Sequence, residues 1–149
     1  MTDFDDTGPA PRIPAPVLAW GLAGLIPFLG LPALAHALPG VAGWTDRALG
    51  LYGAIILSFL GGARWGQAIR SNPPPSRIIA MSMAPSVAAW GLVLLPGAPA
   101  PFQLAGLATG LILSWLWDVR STDTPSWYPH LRGLLTAGAV AGLAAGALL

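Results

Sequence analysis

Long apolar runs separated by short polar segments dominate this chain. A run of roughly 17 to 25 apolar residues crosses the hydrocarbon core of a bilayer as a helix. Five segments approach that length, at about Val17–Leu38, Ala48–Ile69, Ile78–Leu95, Phe102–Val119 and Leu131–Leu149. Because the connections between them hold most of the charge and much of the Pro, the pattern predicts an all-α integral membrane bundle of five transmembrane helices.

The first fifteen residues differ from the rest of the chain. They are acidic and rich in Pro, and they lack the basic start of a secretory signal. We therefore predict a disordered cytoplasmic tail at residues 1–15 and a single five-helix domain at residues 16–149. Pro27, Pro32 and Pro85 fall inside predicted helices, where Pro either kinks the helix or frees backbone carbonyls that transporters use as ligands.

The composition supports a membrane location and excludes several functions. Charged residues make up 9% of the chain and hydrophobic residues 54%, whereas an average soluble domain carries about 25% charged residues. The seven basic residues are all Arg and the net charge is only +1, which argues against nucleic acid as a partner. The absence of Cys excludes disulfides and thiolate metal sites.

No metal, cofactor or catalytic constellation is predicted. His36 and His130 are far apart, and the predicted topology places them on opposite faces of the membrane, so they do not form a shared metal site. The lipid bilayer is the expected partner, together with a possible membrane protein partner or a second copy of the chain.

The distribution of Arg predicts the orientation, because cytoplasmic loops of membrane proteins carry an excess of basic residues. With a cytoplasmic N-terminus, five Arg lie on the cytoplasmic side and only Arg47 lies opposite. The cytoplasmic set is Arg12, Arg70, Arg77, Arg120 and Arg132. We therefore expect a multipass protein of the bacterial inner membrane, with its N-terminus in the cytoplasm and its C-terminus on the other side.

Arg64 is a permanent charge inside the second predicted helix. It precedes Arg70 by six residues, which places it about 9 Å along the helix at 1.5 Å per residue. A charge at that depth faces the bundle interior and has a partner. The acid at matching depth is Asp118, at the end of the fourth helix, and Asp123 in the following loop is the alternative.

Further polar and aromatic residues converge on the same end of the bundle in this tryptophan-rich chain. Because planar guanidinium groups stack on Trp and pair with carboxylates, such a cluster either binds an anionic or planar ligand or locks the helices together. The candidate residues are Arg64, Trp65, Asp118, Trp127, Tyr128 and Arg132.

Two stretches of this sequence resemble known motifs. Residues 52–66, which end in Gly-Gly-Ala-Arg64-Trp65-Gly66, and the element Trp127-Tyr128-x-x-Leu131-Arg132-x-x-Leu135-Thr136 are similar to an uncharacterised family of small bacterial inner-membrane proteins. This family, domain of unknown function 3429, is related to the mitochondrial transmembrane protein 69 of animals. The resemblance, which spans roughly Trp20 to the C-terminus, implies a membrane-embedded helical bundle and no particular activity. It also singles out Arg64, Asp118 and Arg132 as a set.

Glycines recur at four-residue spacing, which places them on one face of a helix where backbones can approach closely. On this basis we predict helix-packing contacts at Gly62, Gly66, Gly138, Gly142 and Gly146.

Three functions are compatible with these features. The first is a non-enzymatic scaffold or assembly protein, favoured by the small size and the Gly faces. The second is a small-molecule binder or transporter for a planar or anionic ligand or a lipid, with a pocket lined by Arg64 and Trp residues. The third is a membrane enzyme with Asp118 as acid or base, for which a second acid, a nucleophile and a metal are all missing.

Overall fold

The structure, a computed structural model, describes residues 12–120 and 124–149. Within these residues all regular structure is helical, and Pro39–Val41 form a single 3₁₀ turn. The α-helices are α1 (Ala15–Ala23), α2 (Ile26–Ala37), α3 (Ala42–Ala68), α4 (Ser76–Leu94), α5 (Ala100–Val119) and α6 (Tyr128–Ala147). Of the predicted disordered tail, residues 1–11 lie outside the described part, and Ala15 already begins α1.

The first predicted helix is divided into α1 and α2 at residues 24–25. Pro27 has no N–H, so the helical hydrogen bond to the carbonyl of Ala23 cannot form. The hydroxyl of Tyr52 on α3 donates to the carbonyl of Gly24 at 2.9 Å. By contrast, Pro32 lies buried within α2, which continues past it.

Helix α3 begins six residues earlier than the sequence pattern predicted, at Ala42 instead of about residue 48. Its first turns therefore include Asp46 and Arg47, which the pattern had assigned to a loop. The hydroxyl of Thr45 is fully buried and donates to the carbonyl of Ala42 at 2.8 Å. Because this hydrogen bond satisfies the hydroxyl within its own helix, the polar segment is compatible with helical structure.

In the described part of the chain, four helical segments are long and apolar enough to cross a membrane, namely Ala15–Ala37, Pro39–Ala68, Ser76–Leu94 and Ala100–Val119. Helix α6 is not in this set, because His130 and Arg132 lie in its first turns and much of the remainder is Ala and Gly. It nevertheless contributes as many buried positions to the bundle as the longer α3, and it packs mainly against α5 and α2.

The core lies around α3, which contacts α2, α4, α5 and α6. Its large buried side chains are Phe28, Leu49, Leu57, Leu104, Leu107, Leu111 and Leu143. The outer surface is also apolar, since Ile55, Phe59 and Trp90 are all more than half exposed. A surface of this kind is suited to acyl chains.

Two close helix contacts pair a glycine with a carbonyl one turn before a proline. A Cβ at Gly142 of α6 would lie only 2.1 Å from the carbonyl oxygen of Phe28 on α2. Pro32 cannot donate to that oxygen. A Cβ at Gly61 of α3 would lie 2.5 Å from the carbonyl oxygen of Ser82, three residues before Pro85 on α4, although the carbonyl that Pro85 leaves without its helical donor is that of Met81. Glycine is required at both positions because the facing atom is backbone.

The predicted packing glycines divide into two groups. A Cβ at Gly138 would lie within 3 Å of the side chain of Leu25, and a Cβ at Gly146 within 3 Å of the side chain of Leu49. Together with Gly142, which faces backbone, these glycines contact neighbouring segments closely. A Cβ at Gly62 or Gly66 would meet nothing within 4 Å. The close approach on α3 therefore belongs to Gly61, one position away, because that side of the helix is turned toward α4.

Candidate functional site

The carboxylate of Asp118 lies between two guanidinium groups at one end of the bundle. Its Oδ1 is 2.8 Å from Nε of Arg64, and its Oδ2 accepts a hydrogen bond from Nε of Arg132 at 2.6 Å. The carboxylate that sequence analysis assigned to Arg64 is therefore the one it contacts. The alternative, Asp123, lies outside the described residues.

Three helix ends bring these side chains together. Arg64 lies in the last two turns of α3, Asp118 lies next to the last residue of α5, and Arg132 is the fifth residue of α6. All three side chains are nearly enclosed, with 7% to 11% of their surface exposed. We call Arg64, Asp118 and Arg132 the triad.

Arg64 also binds the end of α5. Its Nη2 donates to the carbonyl of Trp117 at 2.8 Å, and its guanidinium carbon lies 5.0 Å from the centre of the Trp117 ring. The last carbonyls of a helix have no partner within the helix and carry partial negative charge, so a cation there is favourable. Arg64 therefore makes an ion pair, a hydrogen bond and a cation–π contact with two consecutive residues of α5.

Arg132 is bound less completely. Its Nε is engaged by Asp118, but its Nη2 is buried with no hydrogen-bond partner among the described residues. One turn later, the hydroxyl of Thr136 is also buried without such a partner. The hydroxyls of Thr45, Ser82 and Thr109 all bond to carbonyls of their own helices. Thr136 differs from these three residues, because its buried hydroxyl is left unpaired at a cost in folding free energy.

Both unpaired groups belong to residues that line one cleft between α1, α3 and α6. The cleft has a volume of about 180 Å³. Apart from Arg132 and Thr136, its lining is apolar and includes Phe28, Ile56 and Leu60. Trp20 and Phe59 also line it and are 80% and 66% exposed, so the cleft opens sideways toward lipid.

The unpaired donor of this site belongs to a permanent cation. Nη2 of Arg132 is buried without a partner among the described residues, and a buried donor left unpaired is costly, the more so when it is charged. The site therefore favours a further acceptor close to Arg132, above all a negatively charged one.

The other predicted site residues lie around the triad rather than in it. Trp65 is 43% exposed on the outside of α3, although it is adjacent to Arg64. Trp127 and Tyr128 pack edge to face, with ring centres 6.1 Å apart, at the start of α6. Tyr128 is half-buried and lies within electrostatic range of all three triad charges.

Two residues of this site were not predicted from the sequence. Trp117 is absent from the predicted site residues, and Thr136 appears only as part of a motif. A signal for Thr136 was available, because a residue four positions after Arg132 lies on the same helix face. For Trp117 the decisive contact is made by its backbone carbonyl, which has no sequence signature.

The fold and the site define a class: an all-helical integral membrane protein with a buried Arg–Asp–Arg triad at one end. The chain belongs to the family described as protein of unknown function DUF3429, which matches residues 13–148. No activity is attached to that description.

Two curated relatives share this similarity. Transmembrane protein 69 of Xenopus tropicalis is 39% identical over 134 residues, which cover 87% of this chain and 53% of the relative. Transmembrane protein 69 of Mus musculus is 40% identical over 87 residues, which cover 54% of this chain and 34% of the relative. The chain thus spans about half the length of the first relative and about a third of the second. No solved structure matches the chain significantly.

Proposed function

We propose that this protein binds an anionic amphiphilic small molecule within the membrane, at the side of the triad formed by Arg132. The observation that carries this proposal is the buried, unpaired Nη2 of Arg132 next to an apolar cleft. An anion there would supply the missing hydrogen-bond acceptor and make the bond a charge-assisted one.

Asp118 is better suited to holding the two arginines than to acid–base catalysis. Both of its oxygens lie within 2.8 Å of a guanidinium nitrogen. Each oxygen is therefore already occupied by a guanidinium group, which leaves neither of them placed to take a proton from a substrate. The site therefore favours binding over chemistry, as expected for a carrier or receptor of a membrane-soluble ligand.

The location and orientation belong to the same proposal. The relatives are named as transmembrane proteins, and the apolar helices support a membrane location. We place the protein in the bacterial inner membrane with the triad at the cytoplasmic end, because the Arg-rich connections lie at that end. A ligand would then enter from the inner leaflet.

The test is whether a native anionic amphiphile is retained. The protein would be purified in a mild detergent from the membranes in which it is expressed, and native mass spectrometry would identify bound small molecules. Arg132→Gln removes the cation that carries the unpaired donor, while Asp118 keeps Arg64 as its partner. We expect wild type to retain an anionic amphiphile and Arg132→Gln to lose most of it.

Arg120→Gln is the matched control. Arg120 belongs to the same end of the bundle but is exposed and donates to the carbonyl of Leu116 at 3.1 Å. It should retain the ligand as wild type does. Equal retention by all three proteins, or retention of no anion by wild type, would contradict the proposal.

An assembly role is a second candidate, favoured by Gly62 and Gly66. This pair has four-residue spacing, and a Cβ at either position would meet nothing within 4 Å among the described residues. Small residues at that spacing allow another transmembrane helix to approach closely. Cys introduced at Gly62 should then crosslink to a second membrane protein or a second copy in native membranes, whereas Cys at Gly91 on α4, which is also open, should not.

A further inference from the structure

We infer that the ligand is a single-chain carboxylate, of the fatty-acid type, whose head binds Arg132 and Thr136 and whose chain lies in the cleft between α1, α3 and α6. This inference rests on the proposed function and specifies its ligand and its subsite. It is carried by two unpaired donors, by the charge of Arg132, and by the size and depth of the cleft.

The two donors match the two oxygens of a carboxylate. Nη2 of Arg132 and Oγ1 of Thr136 both lack a partner among the described residues, and both residues are more than nine-tenths buried. They are four positions apart on α6, so they lie on the same helix face one turn from each other. A carboxylate oxygen can accept from each, and hydrogen bonds to a charged acceptor are the stronger kind.

The buried guanidinium of Arg132 favours an anionic head with a single charge. A carboxylate would accept a charge-assisted hydrogen bond from its unpaired Nη2, whereas a neutral alcohol or quinone would supply only the weaker neutral bond. A phosphate dianion would bring two further negative charges into a nearly enclosed site beside the carboxylate of Asp118, which is unfavourable.

The cleft selects a slender chain. Its volume of about 180 Å³ is below the range of about 300 to 1,000 Å³ typical of pockets for drug-sized molecules. A volume of this order holds one small ring or a short length of alkyl chain, as an apolar cavity of about 150 Å³ holds benzene. Fused-ring ligands and the paired chains of a phospholipid do not fit within it. The first part of a single alkyl chain does, and the remainder of a long chain would extend through the lateral opening beside Trp20 and Phe59.

The depth of the site agrees with the position of a fatty acid in a leaflet. Arg132 is four residues past the start of α6, which is about 6 Å along the helix. The lining continues along α6 through Leu135 to Ala139, seven residues deeper than Arg132. A carboxylate at Arg132 would therefore lie near the headgroup boundary, with its chain pointing toward the bilayer centre and its exit facing lipid.

Binding of radiolabelled oleate to the purified protein in detergent, by equilibrium dialysis, tests this inference. Oleyl alcohol and dioleoyl phosphatidic acid serve as competitors, since the first lacks the charge and the second has two chains. Unlabelled oleate should compete at least tenfold better than either. Octanoate, which carries the head with a short chain, should compete more weakly than oleate.

Thr136→Val tests the head contact. This change removes one hydrogen bond to a charged acceptor and should weaken oleate binding about tenfold. It should not destabilise the protein, because the hydroxyl that it removes is unpaired and valine has a similar shape. Thr109→Val is the control, because the hydroxyl of Thr109 is bound to Ala105 on its own exposed helix face.

Ile56→Trp tests the chain contact. Ile56 lines the cleft, and a larger side chain should fill it and reduce oleate binding at least tenfold. Ile55→Trp is the control, since Ile55 immediately precedes Ile56 on α3, is 63% exposed and does not line the cleft.

The outcomes separate the two proposals. Weak binding by Thr136→Val and Ile56→Trp, with normal binding by both controls, supports the inference. A different result would leave anion binding intact but show that the fatty-acid subsite is wrong. In that case octanoate and oleate compete equally, binding requires Arg132, and Thr136→Val and Ile56→Trp bind normally. If oleyl alcohol competes as well as oleate, the carboxylate assignment is wrong. If no anion binds to wild type, both proposals fail.

Discussion

Asp118 gives one oxygen to Arg64 and the other to Arg132, so its single charge serves two buried cations. Removing one member of a buried ion pair leaves an uncompensated charge, which costs more than the pair contributes when intact. Of the three triad residues, Asp118 is therefore the one whose replacement should destabilise the protein most. Loss of either arginine leaves a balanced pair, whereas loss of the carboxylate leaves two unbalanced cations.

We therefore expect Asp118→Asn to lower the free energy of unfolding by about 3 to 5 kcal/mol. Unfolding in mixed micelles with increasing dodecyl sulfate, followed by circular dichroism, measures this change. Asp46→Asn makes the same chemical change at the opposite end of the bundle, where Asp46 is half-buried, and should have a much smaller effect. Equal losses in the two variants would show that the triad has no special role in stability.

Tyr52 contributes one tertiary hydrogen bond to the fold. Its hydroxyl donates to Gly24 at the break between α1 and α2, and its ring packs edge to face on Phe28 with centres 5.0 Å apart. Tyr52→Phe keeps the ring and removes the hydrogen bond, which should cost about 0.5 to 1.5 kcal/mol.

The effect of Tyr52→Phe should be local. Hydrogen exchange should rise in residues 15–25, since α1 has few contacts besides those with α6, and stay unchanged in α5. Uniform changes along the chain, or none in α1, would contradict this account of the break.

Among the elements, α6 depends on its glycines to approach α2. A Cβ at Gly142 would overlap the carbonyl oxygen of Phe28, and a backbone carbonyl cannot rotate away as a leucine side chain can. Pro32 explains why that carbonyl faces α6, because its usual helical donor is absent. The freed oxygen and the glycine Cα thus form a contact suited to a weak Cα–H···O bond.

Gly142→Ala should therefore separate α6 from α2 and lower the free energy of unfolding by about 1 to 3 kcal/mol, the usual range for overpacking. The matched control is Gly62→Ala. Its Cβ would meet nothing within 4 Å, and alanine favours a helix by up to about 1 kcal/mol over glycine. Thermal denaturation in detergent should give a lower melting temperature than wild type for Gly142→Ala and a higher one for Gly62→Ala. A Gly142→Ala protein as stable as wild type would disprove the contact.

At the scale of the whole molecule, charge is distributed unevenly between the two ends. The triad and the Arg-rich connections share one end, while Arg47 and the C-terminus belong to the other. Among the long helices of the described residues, α6 alone lacks a segment apolar enough to be a candidate span, so a five-span topology would depend on its packing within the bundle as well as on its own hydropathy.

Reporter fusions test this topology. Alkaline phosphatase is active only outside the cytoplasm, so its fusion after Leu149 should be active. Its fusion after Asn72, in the connection between α3 and α4, should be inactive. A green fluorescent protein fusion should give the reverse pattern. Activity of both phosphatase fusions, or of the Asn72 fusion alone, would overturn the proposed orientation or the number of spans.

Much of the architecture followed from the sequence alone. Runs of apolar residues set the helices to within a few residues for α4, α5 and α6, because a bilayer requires a fixed length of apolar helix. The pairing of Arg64 with Asp118 followed from depth, since two charges at the same level of a membrane bundle have few other partners.

Only the tertiary structure decided which faces meet and which polar atoms stay unpaired. Four-residue spacing predicted Gly62 and Gly66, because the positions four residues from Gly61 hold Leu57 and Trp65. The rotation of α3 against α4 nevertheless places Gly61 at the contact. The early start of α3, the contact of Arg64 with the carbonyl of Trp117, and the unpaired hydroxyl of Thr136 are likewise absent from any sequence pattern. Local spacing determines which residues share a helix face, but the packing of distant helices determines what that face contacts.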